Sequence, residues 1–265
     1  MTASASEPCV VFVANRLPVP VDDGWKRRTY HVVRALAAVA PVELVVFGRH
    51  GPGAPADDVC LGARVTVHTV RPPAVPRPLA LAASYVVPHP MQQLLHTTHA
   101  LDETLARVAG GRRVIAAGCA SVFLAHALQV VRRHADVRFD FIDTHNIDSL
   151  YYQRLADHSD SVLRRAAFAQ TARRTRSLEA DAFARAQETW VCSDDEAARL
   201  ARDVPQARVR VLPNGATVPP RCPAPPLSGD TVLFFGRLDY EPNADAIRLL
   251  CTEIWPRVVA ARPTA

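Results

Sequence analysis

Short, continuous apolar runs alternate along most of this chain with longer stretches in which apolar positions recur at helical spacing. The run "CVVFVA" at 9 to 14 predicts a parallel strand covered on both faces. Within "RRTYHVVRALAAVA" the apolar residues at 32, 33, 36, 37 and 40 mark one face of a helix, and "PVELVVFGR" at 41 to 49 predicts a second strand. Strand, loop, helix and strand make a βαβ unit, whose crossover is right-handed.

The unit repeats less regularly. Strands are predicted at "RVTVHTV" (64 to 70), "RRVIAAG" (112 to 118), "VRFDFIDTHN" (137 to 146), "ETWVCS" (188 to 193) and "VRVLPNG" (209 to 215). Between them the pattern predicts a loop at 71 to 78 and helices at 91 to 109, 120 to 134 and 150 to 188. A further helix follows Ser193, whose partner Glu196 completes a capping box. The stretch 216 to 229 carries five prolines and no periodicity, which predicts an extended linker. After it "TVLFFGRLDYEPNADAIRLL" predicts a strand at 231 to 235, a loop at 236 to 243 and a helix at 244 to 261.

The expected architecture is therefore α/β. A Rossmann-like parallel sheet with flanking helices spans 1–215, a linker spans 216–229, and 230–265 holds the first βα unit of an incomplete second Rossmann-like domain. The 265 residues are 49% apolar, enough for a core of this size. Lys26 is the only lysine, and the arginines come in scattered pairs without an aromatic-interleaved stripe, so no nucleic-acid partner is expected. Cys9, Cys60, Cys119, Cys192, Cys222 and Cys251 lie far apart, at neither disulfide-framework nor zinc spacing, and read as buried thiols of a cytoplasmic protein. The N-terminus has no signal-peptide pattern. The apolar stretch at 114 to 131, broken by Gly118, Ser121, His126 and Gln129, reads as a buried strand followed by a helix.

In an open parallel sheet ligands sit beyond the C-terminal ends of the strands. That places Asn15, Arg16, Asp22, Asp23, Gly24, Lys26 and Arg27 after the first strand, Asp143, His145 and Asn146 after the fifth, and Asn214 and Gly215 after the seventh. Gly236, Arg237 and Asp239 follow the strand predicted at 231 to 235. Taken singly, each has a structural reading: Asp22-Asp23-Gly24 as a turn, His145 as a satisfied strand-end ring, Asn214-Gly215 as a turn pair, Arg237 as a surface side chain.

Their order is more specific. "VLPNGATVPP", the proline-rich stretch and "VLFFGRLDYEPNADAI" resemble the domain junction of retaining family 4 glycosyltransferases of the GT-B fold, in the subgroup associated with polysaccharide loci. "LPVPVDDGWKRRTYHVVRAL", "DTHN" and "WVCSDDEAARL" fall where that family carries its first loop, its Asp-x-His and its Val-x-Ser-x-x-Glu stretches. "VFVANRLPV" is also similar to the first strand and loop of trehalose-phosphate synthases, which share the architecture.

The resemblance implies a UDP- or GDP-linked sugar donor and a saccharide or lipid-linked cell-envelope acceptor, with peripheral membrane contact compatible with the latter. It implies no metal and no other cofactor. His145 would lie beside the transferred sugar as the catalytic-site residue. Asp23, Gly24, Lys26, Arg28, Asp143, Asn146, Asn214 and Gly215 would meet substrate, with Lys26, Arg27 or Arg28 facing an anionic group. Gly236 and Arg237 would meet the donor diphosphate. The family's lysine after Gly-Arg has no counterpart here, and its paired glutamates would fall beyond residue 265, so a truncated form with little turnover is expected. A non-catalytic saccharide- or partner-binding module and a sugar-nucleotide epimerase of the same fold are the alternatives.

Overall fold

The computed structural model describes residues 7–48, 61–72, 75–216, 232–239 and 241–262. The chain divides into two compact units, Met1–Gly215 and Ala216–Ala265. The first is a seven-stranded sheet built from β1 (Cys9–Ala14), β2 (Val42–Phe47), β3 (Val65–Val70), β4 (Val114–Cys119), β5 (Asp140–Asp143), β6 (Glu188–Val191) and β7 (Val209–Val211). Every pairing is parallel, in the order β3-β2-β1-β4-β5-β6-β7. The chain winds outward from β1 in one direction and from β4 in the other, so the switch point lies between these two strands.

The central strands are buried end to end, as their continuous apolar runs require. Val10, Phe12 and Ala14 face helix α1 (Gly24–Val39), which buries Val32, Val33 and Ala37 of the predicted stripe. Val11 and Val13 face the opposite layer. That layer contains α4 (His99–Ala109), α5 (His126–His134) and the second half of α7 (Val162–Arg185). Each fully buried large apolar side chain contributes about 1.5–3 kcal/mol. Glu43, a carboxylate inside β2, is held by His68 Nε2 at 2.5 Å and by Arg112. The His68 hydrogen bond, more than any other influence, draws its carboxyl below the usual range.

At the middle of the sheet Gly118 of β4 is paired with both Phe12 and Phe141. A Cβ there would stand 2.3 Å from the Phe141 ring. The missing side chain lets Phe141 stack on Phe12 at 5.9 Å and on Trp190 at 3.8 Å.

Several expected boundaries change. The stretch taken as loop at 71–78 runs into α2 (Arg77–Val86), with a proline in its first turn. Proline there gives up an N–H that has no helical partner anyway, so it starts a helix instead of breaking one. The helix expected at 91–109 is α3 (Met91–His96) and α4, interrupted where Thr98 caps Leu101 N. The one expected at 120–134 is a 3-10 turn at Val122–Leu124 followed by α5. The one expected at 150–188 is α6 (Asp148–Asp157) and α7, with Ser161 capping the second. The strand expected at 137–146 is the shorter β5. After β6, α8 (Asp194–Asp203) has the predicted Ser193 cap, its Oγ accepting from Glu196 N, but Glu196 Oε2 reaches one residue past the N-cap and accepts from Cys192 N, where a capping box would take the Ser193 N–H.

Helix α6 has Ile147 at its N-cap, which offers no side-chain acceptor. Glu179 of α7 fills the role, accepting from Ser149 N at 3.0 Å. Burial, reinforced by the Glu179 charge, pushes the Asp148 carboxyl up to about 7. A carboxyl whose folded pKa is raised costs stability as pH climbs from its ordinary value of 3.8 to about 7, because the folded state holds the proton longer. Asp148→Asn is therefore expected to gain about 1–2 kcal/mol in urea unfolding above neutrality, and little near pH 4. An unchanged midpoint above neutrality would show that the pair carries no such strain.

In the second unit α9 (Glu241–Leu249), a π turn (Leu250–Ile254) and α10 (Trp255–Ala261) form one helical run. Trp255 N reaches Leu250 O, and the next residue, Pro256, has no N–H to give. The strand expected at 231–235 is not formed over its described part: residues 232–235 have no regular secondary structure, and Val232, Leu233 and Phe235 are exposed. Among the described residues no other strand offers these backbone groups a partner, and a lone strand leaves them unpaired. Thr231, and the expected linker from residue 217 onward, lie outside the described residues.

Candidate functional site

The loop after β1 folds onto the start of α1. Asp23 caps the helix, its Oδ1 accepting from Lys26 N at 2.8 Å, and its Oδ2 accepts from Arg16 Nη2 at 2.8 Å. Lys26 Nζ pairs with Asp22 Oδ1 at 2.8 Å. The expected Asp22-Asp23-Gly24 turn is thus a helix start. Gly24 is exposed, and a Cβ on it would meet nothing within 4 Å.

One turn into α1, Arg28 is buried. Its Nε and Nη2 donate to Asp143 Oδ1 at 2.9 and 2.6 Å, and its Nη1 donates to Leu212 O at 2.6 Å and Asn214 Oδ1 at 3.0 Å. One guanidinium therefore joins α1, the end of β5 and the segment after β7. Burial pushes the Asp143 carboxyl up and Arg28 opposes the shift. The donors converging on both oxygens require the acceptor-only carboxylate. Arg28 and Asp143, both expected to meet substrate, are bonded to each other in a buried pair that joins these three segments.

His145 follows that pair. Its ring stacks on Trp25 at 5.5 Å with 25° between planes, and Arg16 covers Trp25 with its Cζ at 5.1 Å from the ring centre. His145 Nε2 is buried with no hydrogen-bond partner among the described residues, since Asp143 Oδ2 stands 3.9 Å away. Burial, with the Arg28 charge adding and Asp23 opposing, pushes the imidazole down to about 3, so the ring is neutral at pH 7. Asn15 Oδ1, at the end of β1, is also buried and unpartnered. Among the described residues, then, a buried polar atom without a partner lies at the C-terminal end of β1 and another just after β5.

Asn146 is exposed, its carbonyl accepting from Thr144 Oγ1. Cys192, after β6, points its thiol at His145 O at 3.5 Å, and burial raises its pKa. Gly215 is exposed and open. Thus Asp23, Gly24, Lys26, His145, Asn146, Asn214 and Gly215 gather at one end of the sheet around the Arg28–Asp143 pair. Gly236 and Arg237 belong to the second unit. There Arg237 donates from Nε to Asp239 Oδ1 at 3.0 Å, and a Cβ on Gly236 would stand 2.8 Å from Asn243 Nδ2. Asn15 and Arg16 belong to the polar cluster expected after β1, whereas Trp25 is not among the expected residues. Trp25 lies three residues before Arg28, the spacing that puts two side chains on one helix face, and this signal could have found it. Among the described residues no three of His, Cys, Asp and Glu are grouped as metal ligands.

Neither the family models nor the curated proteins compared with this chain give a match. Solved structures do. Sucrose-phosphate synthase from Thermosynechococcus elongatus superposes with a TM-score of 0.54 at 14% identity, over 78% of this chain and 48% of that one. A UDP-glucosyltransferase from Polygonum tinctorium capable of glucosylating indoxyl aligns with a TM-score of 0.44 at 16% identity, over 83% and 56%. The chain thus spans about half the length of these two solved structures. At such identities the likeness is one of fold.

Proposed function

We propose that this chain is the acceptor-side part of a nucleotide-sugar-dependent glycosyltransferase of the GT-B type, in the retaining family 4 manner, acting in the cytoplasm. On this reading 1–215 holds a saccharide or lipid-linked acceptor, 216–229 is the linker, and 230–265 begins the donor-binding part. His145 holds a hydroxyl of the transferred sugar, with Asp23, Gly24, Lys26, Asn146, Asn214 and Gly215 lining the substrate path. Gly236 and Arg237 meet the UDP or GDP diphosphate, for which Arg237 must exchange its Asp239 partner. No side chain is assigned as a base or nucleophile, and no cofactor is invoked.

The observation that carries this reading is the neutral His145 ring, clamped by Trp25, with an unpartnered Nε2 at the carboxyl end of β5. A neutral imidazole can donate to or accept from a hydroxyl, and a buried, oriented one does so at little entropic cost. The test is saccharide binding by this chain, followed by Trp25 fluorescence and the His145 ring resonances. Acceptor saccharides are expected to shift both, and UDP- or GDP-hexoses alone to bind weakly. Saccharides that leave both signals unmoved at millimolar concentration would overturn it. A non-catalytic binding module is the second reading, favoured by the Arg237–Asp239 pairing. It expects full saccharide affinity without any change on adding donor. Product analysis separates transfer from epimerisation.

A further inference from the structure

We propose that the face formed by α2 and the first half of α7 docks on an anionic lipid bilayer. The observation is a coincidence of exposed apolar side chains with a one-sided charge. Among its described side chains, α2 buries only Ala80 and Ser84, one turn apart. Leu79 is 61% exposed, Tyr85 47% and Val86 86%. The first turn of α7 likewise presents Val162 at 75% and Leu163 at 84%, and Ala172 is the first residue of that helix to be buried. The two helices touch: Arg174 of α7 donates from Nη2 to Tyr85 O at 3.1 Å, and from Nη1 to Val87 O.

The charge on these segments has one sign. No aspartate or glutamate occurs from Val59 to Leu101, which carries Arg64, Arg71 and Arg77. None occurs from Ser161 to Leu178, which carries Arg164, Arg165, Arg173, Arg174 and Arg176. The chain has a formal net charge of +5, and outside these two segments acidic residues outnumber basic ones. Arg164, Arg165, Arg173 and Arg176 are exposed and have no salt-bridge partner among the described residues. Exposed Leu, Val and Tyr among unpaired arginines match the chemistry of a headgroup layer: apolar side chains enter the acyl boundary and the guanidinium groups meet lipid phosphates. No described helix is long and apolar enough to cross a membrane, so the contact is peripheral. In serving a lipid-linked acceptor the surface rests on the transferase reading, but the docking can be measured without it.

The experiment is cosedimentation of the 265-residue chain with vesicles of phosphatidylcholine, alone or mixed with phosphatidylglycerol, without sugar substrates. Binding is expected only to the mixed vesicles and is expected to be released by added salt. Each basic residue near an anionic surface strengthens binding about fivefold. The triple variant R164S/R165S/R173S should therefore bind at least tenfold more weakly. L79S/Y85S/V86S should also lose about tenfold, from the apolar contacts, and both variants should melt as the native chain does. The proposal is overturned by failure to bind mixed vesicles, by equal binding to both kinds, or by variants that bind like the native chain. It is also overturned if light scattering shows a dimer that L79S/Y85S/V86S abolishes, since a second copy would then be the occupant. None of these results bears on the saccharide response of His145, so the two readings fail separately.

Discussion

Replacing Arg28 by alanine is expected to lower the stability of the chain by about 3–5 kcal/mol, the cost of leaving a buried carboxylate unpaired. The guanidinium is the sole partner that the described residues give to Asp143, at 2.6 and 2.9 Å, and it also reaches Leu212 O and Asn214 Oδ1. Lysine would restore the charge but not the planar fork, so Arg28→Lys should recover less than half of the loss. The double variant R28M/D143L removes both charges and should recover most of it, which separates lost pairing from lost packing. Urea unfolding followed by circular dichroism measures all three. A single variant within 1 kcal/mol of the native chain would show that the pair does not hold the loops after β5 and β7 together.

His145→Gln is expected to make the chain more stable in acid than near neutrality, a range over which the native curve is nearly level. The imidazole titrates at about 3 in the fold against 6.5 ordinarily, mainly because it is buried. Between those values the unfolded chain binds the proton and the folded chain does not, so stability falls as pH drops below 6.5. The full effect approaches about 4 kcal/mol near pH 3, at 1.36 kcal/mol per unit. Asp148 works in the opposite direction over much of the same range, its carboxyl being raised to about 7. The native chain therefore shows a shallow net slope. The glutamine variant removes the histidine contribution alone and should be more stable than the native chain at pH 4 relative to pH 7. Parallel pH profiles for the two proteins would contradict a buried neutral imidazole.

Much of the parallel sheet can be read from the chain, because strands covered on both faces have to be continuously apolar, as "CVVFVA" and "VELVVF" are. Local chemistry is equally readable where it closes within a turn: Ser193 caps α8 as its position predicts, and Glu196 reaches back over the cap, though to Cys192 N. The errors occur where a distant partner decides. Residues 231–235 have the composition of a strand, but pairing needs a neighbour, which the described residues do not supply. Proline at the start of α2 looks like a breaker and acts as an initiator.

The candidate site divides along the same line. From its sequence alone, this protein has seven strands in order, polar clusters at their carboxyl ends, and His145 among the residues that could meet a ligand. Which of those polar residues remain available was decided by tertiary structure. Arg28 lies 115 residues from Asp143 and 186 from Asn214, and only the winding of the sheet brings them within hydrogen-bond distance. Once together in a dry interior, the two charges satisfy each other, while His145 packs among Trp25, Arg28 and Asp23 with its Nε2 unpaired among the described residues. Burial is a property of the assembled fold, and it sets Arg28, which by sequence could face an anionic group, into a pair that ties three distant segments together.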